Sequence, residues 1–151
     1  MPSKRKYKKP INASKVVIDG IEFDSKIEGY MYRLLRDNKI PHKVHEEFTI
    51  LSDEGSYKGE VYVRPQRRSK ELVSTKNSKS IKRRAYTPDF VAKGRVPNWV
   101  IEVKGRKLGD FSLRWSLFKR KIKNSGTDLF MPVTKEDCNQ VIEIIKSKYY
   151  E

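Results

Sequence analysis

Twelve residues separate Asp89 from Glu102 in the segment TPDFVAKGRVPNWVIEVKG, residues 87–105, and Lys104 follows Glu102 by two. The flanking residues predict a strand around Asp89, a turn through Gly94 to Pro97, and a second strand from Trp99 to Lys104. Residues two apart on a strand share a face, so Glu102 and Lys104 would project together while Val103 turns away. Two carboxylates and an ammonium at the end of a hairpin can hold a divalent metal beside a scissile phosphate. Phosphodiester hydrolysis needs water to attack an anionic centre in line. Hard oxygen ligands recruit Mg²⁺ or Mn²⁺, which offsets the charge building on the phosphate oxygens. Asp89 and Glu102 are the candidate ligands. Lys104 either orients or helps deprotonate the attacking water, or neutralises the developing charge. The competing reading leaves Asp89 in a turn and Glu102 paired with Lys104 across solvent.

The elements around these residues weigh between the two readings. Trp99, Val100, Ile101 and Val103 predict a strand buried on both faces. Charged side chains at the end of such a strand are costly unless paired or metal-bound. Upstream, VVIDGIEF at residues 16–23 carries Asp19-Gly20 between two apolar runs, a hairpin signal. In DSKIEGYMYRLLRDNKI, Ile27, Met31, Leu34 and Leu35 follow helical spacing. Asp24 or Ser25 is the expected N-cap, and Glu28 stands three residues after Ser25, as in a capping box. Glu28 therefore has two readings, a capping residue or a carboxylate aimed from the first helical turn into the metal site. Gly29 beside it would admit another backbone or a DNA strand.

Three pieces in order carry a resemblance: Ile18 to Glu28 (IDGIEFDSKIE), Tyr86 to Phe90 (YTPDF) and Glu102 to Gly105 (EVKG). Across roughly residues 16–125 the chain resembles the phage endonuclease I and Holliday-junction-resolvase-like families of the PD-(D/E)xK nuclease superfamily. The resemblance implies an α/β, restriction-endonuclease-like single domain with a mixed central sheet flanked by helices. It implies that Glu28, Asp89, Glu102 and Lys104 are catalytic, that Asp89 and Glu102 bind Mg²⁺ or Mn²⁺, and that the Val103 backbone carbonyl is a further metal ligand. It also implies a homodimer acting on branched DNA, and a phage-encoded protein working in the cytoplasm of a bacterial host. A basic insert over residues 64–84 departs from the pattern.

Charge points to the same class of partner. The net charge is +15 and the pI about 9.9. Residues 1–9 carry five Lys/Arg and no acid, and residues 64–84 carry nine Lys/Arg against one Glu. These two segments supply +13 of the +15. Residues 1–12 read as a basic flexible arm and residues 13–151 as the nuclease domain bearing the insert. Basic appendages attract polyphosphate and release counterions on binding, and they offset the repulsion between acidic ligands and DNA. Arg64, Arg67, Arg68, Lys70, Lys82, Arg83 and Arg84 in the insert are the candidate phosphate contacts. Arg114 and Lys119 on a later helix join them. The alternative is a pair of solvated tails or a localisation signal.

Residues 64–81 hold few large apolar residues and no clear period, which predicts a mobile loop or an extended hairpin tip. YKGEVYVRP before it and IKRRAYTPDFVA after it both read as strands and are expected to pair with each other. Residues 46–51 read as a strand. Residues 110–126 read as a helix with Phe111, Trp115, Phe118 and Ile122 as its apolar stripe. Asp128 to Val133 reads as a strand. A last helix, N-capped by Thr134 with Asp137 at its third position, would bury Val141, Ile142, Ile144 and Ile145.

A chain of 151 residues suits one core. No apolar run predicts a membrane span or a signal peptide. One cysteine, Cys138, fits a reducing, cytoplasmic setting and reads as packing. His42 and His45, the two histidines, read as structural. Three functions fit: a metal-dependent endonuclease for branched DNA, a sequence-specific nicking or restriction-type enzyme, and a non-catalytic basic DNA-binding protein on a nuclease fold. The complete set Glu28, Asp89, Glu102 and Lys104 favours the first, because a binding module would be free to lose one of the four.

Overall fold

The computed structural model describes residues 14–76, 79–103 and 109–151. Asp19 and Gly20 take positive φ values of 53° and 78°, the left-handed pair that a two-residue hairpin turn demands. They join β1 (Val16–Ile18) to β2 (Ile21–Phe23) in antiparallel register, Ile18 opposite Ile21. Helix α1 (Lys26–Asp37) follows at once, with Ser25 as its N-cap. The hairpin is fastened to α1 through Asp19, whose Oδ2 accepts from Tyr32 Oη and Arg36 Nη1, both at 2.9 Å.

Four short strands form a mixed sheet in the order β12–β11–β10–β3. They are β3 (His42–Val44), β10 (Phe90–Ala92), β11 (Trp99–Ile101) and β12 (Asp128–Phe130). The first three pair antiparallel, and β12 runs parallel to β11. The hairpin expected around residues 94–97 exists, but its first strand begins after Asp89 and its second, buried throughout, ends at Ile101, so Glu102 lies past the strand rather than on it. Parallel pairing needs a long crossover, and residues 102–127 supply it. Helix α3 (Lys135–Ile145) packs against α1, and a π turn (Lys146–Tyr150) ends it. Phe23, Met31, Leu35, Phe90, Ile101 and Ile145 are fully buried in the core shared by sheet and helices.

These elements belong to one compact unit, Met1–Glu46 with Pro88–Gly109 and Asn124–Glu151. A second unit comprises Glu47–Thr87 and Asp110–Lys123. Within it, β4 (Phe48–Leu51) pairs with β9 (Arg84–Tyr86), β5 (Gly55–Ser56) with β8 (Ser80–Ile81), and β6 (Tyr62–Val63) with β7 (Val73–Ser74). The three nested ladders make one long antiparallel hairpin whose tip is residues 64–72. Helix α2 (Phe111–Lys121) packs on its base, where Phe118 meets Phe48 and Tyr86 at ring-centroid distances of 5.3 and 4.9 Å.

Several expectations are corrected. YKGEVYVRP does not pair with the strand that carries Asp89: β6 pairs inside the insert with β7, and β9 pairs with β4. The ascending arm of the hairpin thus begins at Phe48, and Asp89 belongs to the first unit, immediately before β10. Ile144 is exposed, and Cys138 takes the buried place on α3. Helix α2 ends at Lys121, short of Gly126, and β12 stops at Phe130, two residues before Pro132, which has no N–H to extend a ladder. No helix among the described residues is long and apolar enough to cross a membrane.

Candidate metal centre

Glu28 reaches the site because of where α1 begins. Ser25 Oγ accepts from the Glu28 N–H at 3.2 Å and donates to Glu28 Oε1 at 3.3 Å, while Oε2 accepts from the Asp24 N–H at 3.2 Å. The first turn therefore fixes the carboxylate from both oxygens. The expected capping box does not close, because Glu28 accepts from the Asp24 N–H rather than from that of the N-cap Ser25; this same carboxylate, only 9% exposed, faces Asp89 and His45. Gly29 lets the turn sit where it does. A Cβ there would lie 2.7 Å from Val16 Cγ2 and 2.9 Å from Ile18 Cδ1. What approaches Gly29 is the side chains of β1, rather than a backbone or a DNA strand.

Asp89 precedes β10 and is half-buried. Its Oδ2 accepts from the Val103 N–H at 2.7 Å, which ties the entry of β10 to the exit of β11. Glu102 lies just past β11, only 4% exposed, and its N–H donates to Phe130 O at 2.9 Å, extending the β11–β12 ladder. One ligand atom each from Glu28, His45 and Asp89 lies within 4.8 Å of the others. Glu102 is close enough to act on Glu28 electrostatically. The Glu28 carboxyl is pushed above the usual carboxylate range, first by burial and then by the negative charges of Asp24 and Glu102, against the lowering effect of its hydrogen bonds.

Of the expected catalytic set, Glu28 and Asp89 come together, from a helix and a strand end; Glu102 falls outside their group but near enough to act on the charge of Glu28, and Lys104 lies outside the described residues. Val103 contributes its N–H to Asp89. Two carboxylates and an imidazole form a donor set that could hold a divalent cation.

Sequence reasoning missed His45. It follows β3 with φ of 55°, and its N–H donates to Asp89 O at 3.2 Å. Nothing local in HKVHEEF distinguishes it from His42; its meaning depends on β3 pairing with β10, which brings residues over forty positions apart side by side. The structural reading does hold for His42, whose Nδ1 lies 2.7 Å from Ile40 O and whose ring packs edge-on against Tyr32 and Phe90. Cys138 is also structural, its thiol pushed up to about 11, chiefly by burial.

The chain belongs to the family described as Protein of unknown function (DUF1064). That family's model matches residues 5–136, a span that takes in Glu28, His45, Asp89, Glu102 and Lys104. No curated protein and no solved structure matches the chain.

The basic candidates all lie in the second unit. Arg64, Arg67, Arg68 and Lys70 occupy the hairpin tip; Lys82, Arg83 and Arg84 its descending arm; Arg114 and Lys119 the exposed side of α2. Arg83 pairs with Glu47 at 3.1 Å and Arg114 with Asp110 at 2.9 Å. Among the described residues the other seven make no salt bridge, leaving their charge available to an external anion. The residue 1–12 arm lies outside the described residues.

Proposed function

We propose that this DUF1064 protein is a metal-dependent DNA endonuclease of the PD-(D/E)xK type, selective for branched DNA and acting as a homodimer. The observation that carries the reading is the meeting of Glu28 and Asp89 within 4.8 Å, from elements sixty-one residues apart, with buried Glu102 near enough to act on the Glu28 charge. The groups brought together are two carboxylates and an imidazole, donors that suit a cation.

Asp89, Glu102 and Glu28 would hold Mg²⁺ or Mn²⁺, with the Val103 carbonyl as a further donor. A divalent ion bound there supplies positive charge opposite the scissile phosphate and acidifies its bound water. The Val103 N–H keeps the Asp89 carboxylate oriented, and Ser25 with the Asp24 N–H keeps Glu28 oriented, so little rearrangement is needed when substrate arrives. Lys104, two residues after Glu102, is assigned the attacking water or the developing phosphate charge. The hairpin and α2 supply the affinity: with fifteen Lys/Arg against six Asp/Glu, their unit carries a net +9.

The test is incision of a labelled four-way junction and a matched linear duplex with Mg²⁺, with Mn²⁺ and with EDTA. Metal-dependent cuts confined to the junction are expected. Equal cutting of both substrates would replace this reading with a sequence-dependent nickase, and tight binding without cleavage would make it a binding protein.

A further inference from the structure

We infer that His45 is a protein ligand of the bound ion, making a mixed nitrogen–oxygen centre that takes Mn²⁺ in preference to Mg²⁺. This rests on the metal site of the proposed nuclease, but not on cleavage itself.

The geometry comes first. A ring nitrogen of His45 lies within 4.8 Å of a carboxylate oxygen from each of Glu28 and Asp89. Ligand atoms around an octahedral ion with bonds of about 2.1 Å lie about 3.0 Å apart when adjacent and about 4.2 Å when opposed. Side-chain rotations that bring the three atoms closer by about 1–2 Å close them on one ion.

The backbone adds a second observation. His45 holds a φ of 55°, a conformation that costs a non-glycine residue on the order of 1 kcal/mol. It is kept there by its N–H bond to Asp89 O. The residue that bears the strain is thus fastened to the ligand it faces.

Packing does not account for the imidazole. The His45 ring is exposed and touches Phe23 only in a tilted arrangement, with centroids 6.0 Å apart. Glycine or asparagine would satisfy the same backbone with less strain. What histidine adds is a nitrogen donor.

The chemistry then chooses among ions. Imidazole is a borderline ligand that favours transition metals, whereas Mg²⁺ prefers oxygen and gives up its waters reluctantly. Mn²⁺ suits carboxylate ligands as Mg²⁺ does, and as a transition ion it tolerates an imidazole among them better than Mg²⁺. Zn²⁺ and Fe²⁺ would also accept imidazole, but the preponderance of carboxylates favours Mn²⁺.

The experiment measures Mn²⁺ and Mg²⁺ binding by calorimetry, and nitrogen coupling to bound Mn²⁺ by pulsed electron paramagnetic resonance, in wild type and in His45→Gly. Glycine accepts the left-handed backbone, so the variant should keep its metal-free melting temperature, and lost binding cannot then be blamed on unfolding. His45→Gln serves as a second variant that keeps a side chain of similar reach. The expected result is an imidazole-nitrogen signal in wild type that vanishes in both variants. Mn²⁺ affinity should fall on the order of tenfold or more, and Mg²⁺ affinity should fall by a smaller factor. Wild-type Mn²⁺ affinity in His45→Gly, or no nitrogen coupling in wild type, would overturn the inference. A nitrogen-coupled Mn²⁺ in a protein that cuts no DNA would sink the nuclease reading and leave His45 a ligand. Junction cleavage that survives with unchanged Mn²⁺ affinity in His45→Gly would do the reverse.

Discussion

Glu28 combines two roles in one carboxylate, and its titration should show both. Burial and the charges of Asp24 and Glu102 raise its folded pKa above the unfolded value, so the folded protein binds this proton more tightly. The stabilising effect of that proton is complete below the ordinary glutamate range and is lost as pH rises through the raised value. Metal-free protein should therefore lose stability over this window. Glu28→Gln keeps an acceptor for the Asp24 N–H and a donor for Ser25 Oγ while removing the charge. It should melt at a higher temperature than wild type near neutral pH without metal, and show a smaller rise on adding Mn²⁺. Thermal denaturation across pH, with and without Mn²⁺, checks both; a variant less stable than wild type throughout would contradict the assignment. At this scale the sequence was informative about residues whose neighbours set their place: Asp89 and Glu102 flank a hairpin legible from Gly94 to Pro97, and Glu28 follows an N-cap serine. His45 was not legible, because only its cross-strand partner makes it part of the site.

Elements whose signals were local formed as read. The Asp19-Gly20 turn gave β1 and β2 their register, and Thr134 with Asp137 forms a reciprocal capping box on α3, with Asp137 held below the usual carboxylate range by the Val133 and Thr134 N–H groups. Thr134→Ala should cost about 1 kcal/mol, read by urea unfolding. Gly29→Ala should cost about 1–3 kcal/mol, because the new methyl meets stiff Val16 inside van der Waals contact. A neutral Gly29→Ala would mean that β1 does not press on α1. The pairing of the insert was not legible, since short runs of exposed residues such as Val73-Ser74 carry no face to choose a partner. The nested hairpin makes a sharper variant available. Replacing residues 64–72 with Asn-Gly joins β6 directly to β7 and removes Arg64, Arg67, Arg68 and Lys70. The melting temperature should hold while the slope of log affinity against log salt falls by roughly 3. An unchanged slope would take the tip off the DNA-binding surface.

Across the whole molecule, the candidate ligands lie in one unit and the larger share of the positive charge, +9 of +15, in the other. Glu28, His45, Asp89 and Glu102 all belong to the unit built on the mixed sheet, and the long hairpin with α2 carries the unit of net +9. Composition made the basic segments visible but not this division, which depends on β4 pairing with β9 and so separating the hairpin from the strand after Asp89. The division makes binding and chemistry separable by mutation, and that is the central claim. The most direct measurement compares junction cleavage and junction binding by wild type and Asp89→Asn in Mn²⁺, in the same salt. The account predicts cleavage by wild type, a loss of about a thousandfold or more in the variant, and dissociation constants within about twofold of each other. Equal cleavage by the two proteins, or no cleavage by wild type with any divalent metal, would contradict it.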